Sequence, residues 1–297
     1  MQNNKNTEQH GENYSQPPFA KQDQTPPGNE QEMHPKPNHG ESSYQGTGTL
    51  TDRKAIITGG DSGIGKAIAI AFAREGADLV LVYLSEEEEQ DAIDTKYWIE
   101  RENRQAVLMR GDLKQEAFCQ QVIDKAISEW GRIDILINNA AYQMTYESFA
   151  EISSAEWIKT FDTNVHAMFF MCQYAIPHMM PGSTIINTSS INAYEPNPGL
   201  LPYALTKGTI QHFTYALNLQ LNKEKKGIRV NCVAPGPVWT PLIPSTIPDH
   251  DTFGADNPIG RPAQPAELAP SYVFLASVDS SYIAGATIPV AGGRNTL

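Results

Sequence analysis

The chain has 297 residues, 40% of them hydrophobic, enough for one large α/β domain or two small ones. Lys and Arg number 22 against 34 Asp and Glu, a net charge of −12, which argues against nucleic acid and anionic membrane as partners, because both demand a positive field. Cys119, Cys172 and Cys232 lack CxxC spacing and the seven histidines form no HxH or HxxxH pair, so neither a disulfide framework nor a metal site is expected.

Residues 1–49 form a proline-rich extension with no Val, Ile or Leu before Leu50. Pro17-Pro18, Pro26-Pro27, Pro35 and Pro37 forbid regular helix and central strand, and the segment cannot bury enough apolar surface for its own core. Two readings stand: a disordered tail, or an extended arm on the body or on a neighbouring subunit, anchored by Tyr14, Phe19, Met33 and Tyr44. The start of the chain lacks the apolar stretch of a signal peptide, and no run of about 18 apolar residues occurs, so a cytoplasmic protein is expected.

The folded body is 50–297. Ala55-Ile56-Ile57 reads as a short buried strand, followed by a Gly-rich turn and a helix with Ile64, Ala67, Ile68, Ala71 and Phe72 on one face. Leu79–Val82 is a second strand, Glu86–Arg101 a helix whose acidic start suits the helix dipole, and Ala106–Met109 a third strand. A helix over Gln115–Trp130, a strand at Ile133–Ile137, a long helix over Ala155–Met179 and a strand at Ser183–Thr188 follow. The remainder alternates likewise: helix Tyr203–Leu221, strand Ile228–Val233, helix Pro265–Leu275 and strand Ala286–Val290. Seven strands with intervening helices imply a doubly wound, Rossmann-type α/β fold, a parallel sheet covered on both faces.

Four constellations carry chemistry. Thr58-Gly59-Gly60-Asp61-Ser62-Gly63-Ile64-Gly65 lies between strand and helix, where glycines let backbone N–H groups approach a pyrophosphate at the helix N-terminus; a tight structural turn is the plain alternative. Tyr203 and Lys207 are four apart, on one face of a helix. A tyrosine pKa near 10 is high for a base, and an adjacent ammonium is expected to lower it, so that the phenol can exchange a proton with a carbonyl or alcohol oxygen. Ser189-Ser190 follows a strand, at the end that faces the ligand crevice in open α/β sheets. Asn138-Asn139-Ala140-Ala141 ends another strand, and Asn164 falls inside a helix, where asparagine is costly unless it serves a local distortion or a buried water.

In this order and spacing, together with Asn231, the Pro235-Gly236 turn, Thr240 and the closing Gly292-Gly293, these motifs resemble the short-chain dehydrogenase/reductase family over residues 51–297. The resemblance implies a tetrad of Asn164, Ser190, Tyr203 and Lys207. In it Tyr203 is the acid/base, Ser190 orients the carbonyl, Lys207 binds the nicotinamide ribose and tunes Tyr203, and Asn164 holds a water. It also implies cofactor contacts at Gly59, Asp61, Ser62, Gly63, Ile64, Gly65, Tyr83, Asp112, Leu113, Asn139, Ala140, Ala141, Thr188, Pro235, Gly236, Val238 and Thr240. Ala141 stands where the family usually has Gly, which would strain a position needing positive φ. The extension and the glycine motif resemble a bacterial stress-protein and aldehyde-reductase subgroup.

The 2′ position of the adenine ribose is read at the end of the second strand. Here it carries Tyr83-Leu84-Ser85, neither Asp nor Arg, so NADP or NAD is expected, the subgroup resemblance favouring NADP and the glutamate run opposing a phosphate. Substrate contacts are expected from Ser190, Asn192, Gln143 and Trp239, with Leu242–Asn257 as a lid. The surrounding neutral and aromatic side chains suggest an uncharged aldehyde, ketone, alcohol or sugar-like substrate. Family members assemble through their long helices, so a homotetramer is implied. The rival readings are a nicotinamide-binding sensor without turnover, a sugar-nucleotide epimerase or dehydratase, and a 3-oxoacyl-type reductase.

Overall fold

Successive side chains of a strand point to opposite faces of its sheet, so a run apolar at every position needs cover on both. In the computed structural model, which describes residues 14–294, seven strands form one sheet: β1 (Lys54–Thr58), β2 (Asp78–Tyr83), β3 (Ala106–Arg110), β4 (Ile133–Asn138), β5 (Met179–Thr188), β6 (Arg229–Pro235) and β7 (Thr287–Val290). All pairings are parallel, in the order β3-β2-β1-β4-β5-β6-β7. Ala55, Ile57, Leu79, Leu81, Ile135 and Ile137 face helices α1 (Gly63–Arg74) and α8 (Ala269–Ala276). Their neighbours Ile56, Val80, Val82 and Leu136 face α3 (Glu116–Trp130), α5 (Ala167–Ala175) and α6 (Leu201–Lys223). Truncating one of these fully buried isoleucines or leucines to Ala costs about 2–5 kcal/mol. The order reverses between β1 and β4, which opens a crevice at the strand C-termini, the usual ligand site of such sheets.

The predicted helix Ala155–Met179 is not continuous. It divides into α4 (Ser154–Phe161), a π-helical turn Asp162–His166, α5, and a 3-10 turn Ile176–His178. Pro177 lacks the N–H that α5 would need to continue. β5 therefore begins at Met179 rather than Ser183, and its pairing with β4 is irregular across Ile133 and Ile135. The acidic run forms a 3-10 turn, Glu86–Glu88, ahead of α2 (Glu89–Arg101), with the Glu88 carboxylate accepting from the Leu84 and Ser85 amides.

Residues 14–49 lie along the body as an extended arm. Phe19 stacks on Trp239 with ring centroids 4.2 Å apart, and Met33 and Ile243 complete that cluster. Arg74 donates to the carbonyls of Gly40, Glu41 and Tyr44, and the Tyr44 hydroxyl donates to Glu75. The Arg261 guanidinium lies 5.1 Å from the Tyr14 ring. Glu30 is buried and accepts from Lys66 Nζ at 2.6 Å and from the Gly63 amide at 3.0 Å, with His39 Nε2 at 2.8 Å. Burial alone would raise the Glu30 pKa; His39 and Lys66 outweigh it and hold the carboxyl down at about 2. Burial would likewise lower His39, but Glu30 and Glu41 raise it.

Candidate active site

The crevice holds a cavity of about 870 Å³, and most residues expected at the site line it. One side is the glycine-rich turn from β1 into α1. Gly59 (φ 61°) and Gly63 (φ 50°) adopt the left-handed region that favours glycine. A Cβ on Gly65 would fall 1.7 Å from the Gly59 carbonyl oxygen. Gly65 is thus required for helix and turn to pack, but it lies behind the cavity wall rather than in it. Gly59, Asp61, Ser62, Gly63 and Ile64 reach the cavity. Asn139 braces the turn: its Nδ2 donates to Gly59 O at 3.1 Å, and its amide donates to Thr58 Oγ1 at 2.9 Å.

Tyr83, Asp112, Leu113, Asn139, Ala140 and Ala141 also line the cavity. Among the described residues Ala141 is not one of the non-glycine positions with positive φ, so the expected strain is absent. The Tyr83 hydroxyl donates to Glu89. Asp61 is buried, and its Oδ2 has no hydrogen-bond partner among the described residues. Burial and the facing Glu88 raise its pKa well above the usual carboxylate range.

The other side is built from the ends of β5 and β6 and the start of α6. Thr188, Ser190, Tyr203, Lys207, Pro235, Gly236, Val238 and Thr240 line the same cavity. Lys207 is 2% exposed; its Nζ donates to Thr188 O at 2.9 Å and lies 5.3 Å from the Tyr203 ring centroid. Ser190 Oγ accepts from the Asn192 amide at 3.1 Å. Burial pushes the Tyr203 phenol up to about 12, with the Ser190 hydroxyl pulling slightly the other way, and burial pushes the Lys207 ammonium down to about 8. Burial thus outweighs the lowering expected from the lysine: both groups are desolvated, and desolvation disfavours the charged form of each.

Asn164 lies behind the cavity, in the π-helical turn. Its Oδ1 accepts from the Tyr142 amide at 2.7 Å, and its Nδ2 donates to Tyr142 O and to Thr206 Oγ1. It joins the loop after β4 to α6, one residue before Lys207. Of the expected substrate contacts, Ser190, Asn192 and Gln143 line the cavity, and Gln143 Nε2 donates to Thr246 Oγ1 in α7 (Leu242–Thr246). Trp239 does not: it is fully buried under the arm and donates to Pro35 O, because Phe19 and Met33 supply an apolar partner the body lacks. Nor is the rim wholly neutral. Lys159 lies 3.9 Å from the Tyr142 ring centroid, and Arg294 pairs with Asp256 and Glu195. Pro26 and Pro27 of the arm are also wall residues. In the sequence, that proline pair signals only a break in regular helix.

A sequence profile described as Enoyl-(Acyl carrier protein) reductase matches residues 59–295. General stress protein 39 of Bacillus subtilis is 47% identical over 90% of this chain and 93% of its own length. NADPH-dependent aldehyde reductase 1, chloroplastic, of Arabidopsis thaliana is 43% identical over 90% of this chain and 94% of its own. A short-chain dehydrogenase from Burkholderia cenocepacia, solved in complex with NADP, superposes with a TM-score of 0.77 at 28% identity, covering 82% of this chain and 98% of that one. With its parallel sheet, its glycine-rich turn and Ser190, Tyr203 and Lys207 around one crevice, the chain belongs to the short-chain dehydrogenase/reductase family.

Proposed function

We propose that the protein is a nicotinamide-dependent oxidoreductase that interconverts a small uncharged carbonyl compound and its alcohol, with Tyr203 as the acid/base. The observation that carries this is the opening of Tyr203, Ser190 and Lys207 into the same cavity as the glycine-rich turn. A nicotinamide dinucleotide held along the glycine-rich turn would supply the hydride chemistry. A phenol with a pKa of about 12 stays protonated at neutral pH, ready to give its proton to a carbonyl oxygen. Ser190 Oγ already accepts a backbone N–H, which leaves its own O–H to donate to that oxygen. The Lys207 ammonium, charged at neutral pH with a pKa of about 8, stabilises the phenolate left behind. Asn164 acts as a positioning residue through Thr206 and Tyr142.

NADP or NAD would bind along the glycine-rich turn, Asn139, Ala140 and the Pro235–Thr240 segment. The NADPH-dependent relative and the NADP-bound neighbour favour NADP, whereas the Glu88 carboxylate on the cavity wall opposes a 2′-phosphate. Separate binding titrations with NADPH and NADH give the ratio. The test of activity is the absorbance of the reduced cofactor over a panel of aldehydes, ketones and sugars, with Tyr203→Phe alongside. Equal rates in the two proteins would sink the assignment, and tight cofactor binding without turnover would favour the sensor.

The exposed side chains of Ile158 on α4, Phe169 on α5, and Leu205, Tyr215 and Leu219 on α6 support assembly through these helices into a homotetramer. The three cysteines are buried and free, which supports a reducing, cytoplasmic setting. Among the described residues no helix is long and apolar enough to cross a membrane.

A further inference from the structure

We propose that the N-terminal arm is part of the cofactor site: Pro26 and Pro27 wall the cavity beside the glycine-rich turn, so that arm docking and cofactor binding strengthen each other. This rests on reading the cavity as a nicotinamide site. The two prolines share the cavity with Gly63, Ile64, Thr240 and Leu242. They lie between two anchorages, one on the segment following β6 and one on α1. On the upstream side, the Phe19 amide donates to Asp251 O at 2.7 Å, the Gln22 amide to His250 Nε2 at 3.0 Å and the Gln24 amide to Pro244 O at 3.0 Å. These bonds and the Phe19–Trp239 stack fasten the arm to the segment following β6. On the downstream side, Glu30 fastens it to α1 through the Gly63 amide and Lys66. At the crossing itself a Cβ on Gly28 would fall 2.6 Å from Pro241 O, so the backbones touch there.

Proline suits such a wall. It has no N–H to satisfy against a ligand, and its fixed φ reduces the entropy lost on ordering. A clasp that served stability alone would not need to reach the cavity, yet this one borders it at the step between its two anchorages. A ligand that touches the docked arm binds the docked state more tightly and must, by the same free energy, favour docking.

The test uses the full chain and direct binding. Phe19→Ala and Met33→Ala loosen the arm at uncharged positions that do not line the cavity. Each should raise the dissociation constant of NADPH or NADH about fivefold or more and speed cofactor release, measured by protein fluorescence and stopped flow. The exposed arm residue Glu32, changed to Gln, should leave both constants unchanged. In the wild-type protein, adding cofactor should slow hydrogen exchange of the Gln24, Gly28 and Glu30 amides, a readout that stands even where a variant does not fold. Dissociation constants within about twofold of wild type, or arm amides unaffected by cofactor, would overturn the coupling while leaving the site itself intact. Wild-type protein that binds neither dinucleotide would overturn the reading of the cavity and the coupling with it.

Discussion

Replacing Lys207 by Met should stabilise the protein at neutral pH while disabling it. The ammonium is enclosed, and among the described residues it donates to Thr188 O. Burial lowers its pKa from 10.5 to about 8, which at about 1.4 kcal/mol per pH unit is a cost of about 3 kcal/mol for keeping it charged in the folded state. Between pH 8 and 10.5 the unfolded chain holds a proton that the native state has released, so this contribution to stability rises with pH there; below pH 8 the full cost is carried. The Met side chain removes that cost and forfeits the charge-assisted bond to Thr188 O, about 1.5–3 kcal/mol. The net expectation is a gain of about 0–1.5 kcal/mol at pH 7, falling by about 2 kcal/mol at pH 9.5, where the variant becomes the less stable protein. Urea denaturation of both proteins at the two pH values measures it, and turnover should fall at least about 100-fold. A Met variant that is less stable than wild type by the same margin at both pH values would refute the reasoning.

Four further outcomes are expected. Asn164→Ala leaves the Tyr142 amide and carbonyl without their partner and takes one donor from the Thr206 hydroxyl, which keeps its bond to Tyr203 O, and should cost about 2–4 kcal/mol in urea titration. Glu88→Gln keeps the acceptor for the Leu84 and Ser85 amides but removes a negative charge facing Asp61; binding titrations should show NADPH gaining several-fold over NADH, about 1 kcal/mol. Glu30 is held down from 4.5 to about 2, so its contribution, about 3 kcal/mol, is present above pH 4.5 and lost as pH falls towards 2. Acid titration of Glu30→Gln should therefore show a flatter loss of stability between those values than wild type. Light scattering at micromolar concentration should report a tetramer, and Phe169→Glu with Leu219→Glu should shift it to smaller species, because both side chains are about half exposed on the helices proposed for assembly.

Much of the site was legible because its parts are local. A glycine turn after a strand, a tyrosine and lysine one helical turn apart, and a serine at a strand end each lie within a few residues of chain. Their shared crevice follows from the parallel order of the strands. Trp239 was misplaced for the opposite reason. It follows the Pro235-Gly236 turn as a lining residue would, but its environment comes from Phe19 and Met33, some two hundred residues earlier. The break in the Ala155–Met179 helix was half visible: Asn164 marked a distortion, but continuous apolar periodicity hid the π turn and the early strand start at Met179.

Strand periodicity and short-range spacing are properties of neighbouring residues, so the amino-acid order alone specified the doubly wound sheet and the spacing of Tyr203, Lys207 and Ser190 on which the proposed chemistry rests. Only the tertiary structure decided the conditions under which that chemistry operates. Desolvation of Tyr203 and Lys207 together, which moves their pKa values away from the ordinary ones, depends on every segment packed around them. So does the use of the arm: a stretch without Val, Ile or Leu has no core of its own, and its Phe19, Met33 and Glu30 acquire a role only against Trp239, Ile243, Gly63 and Lys66, which the fold brings to them.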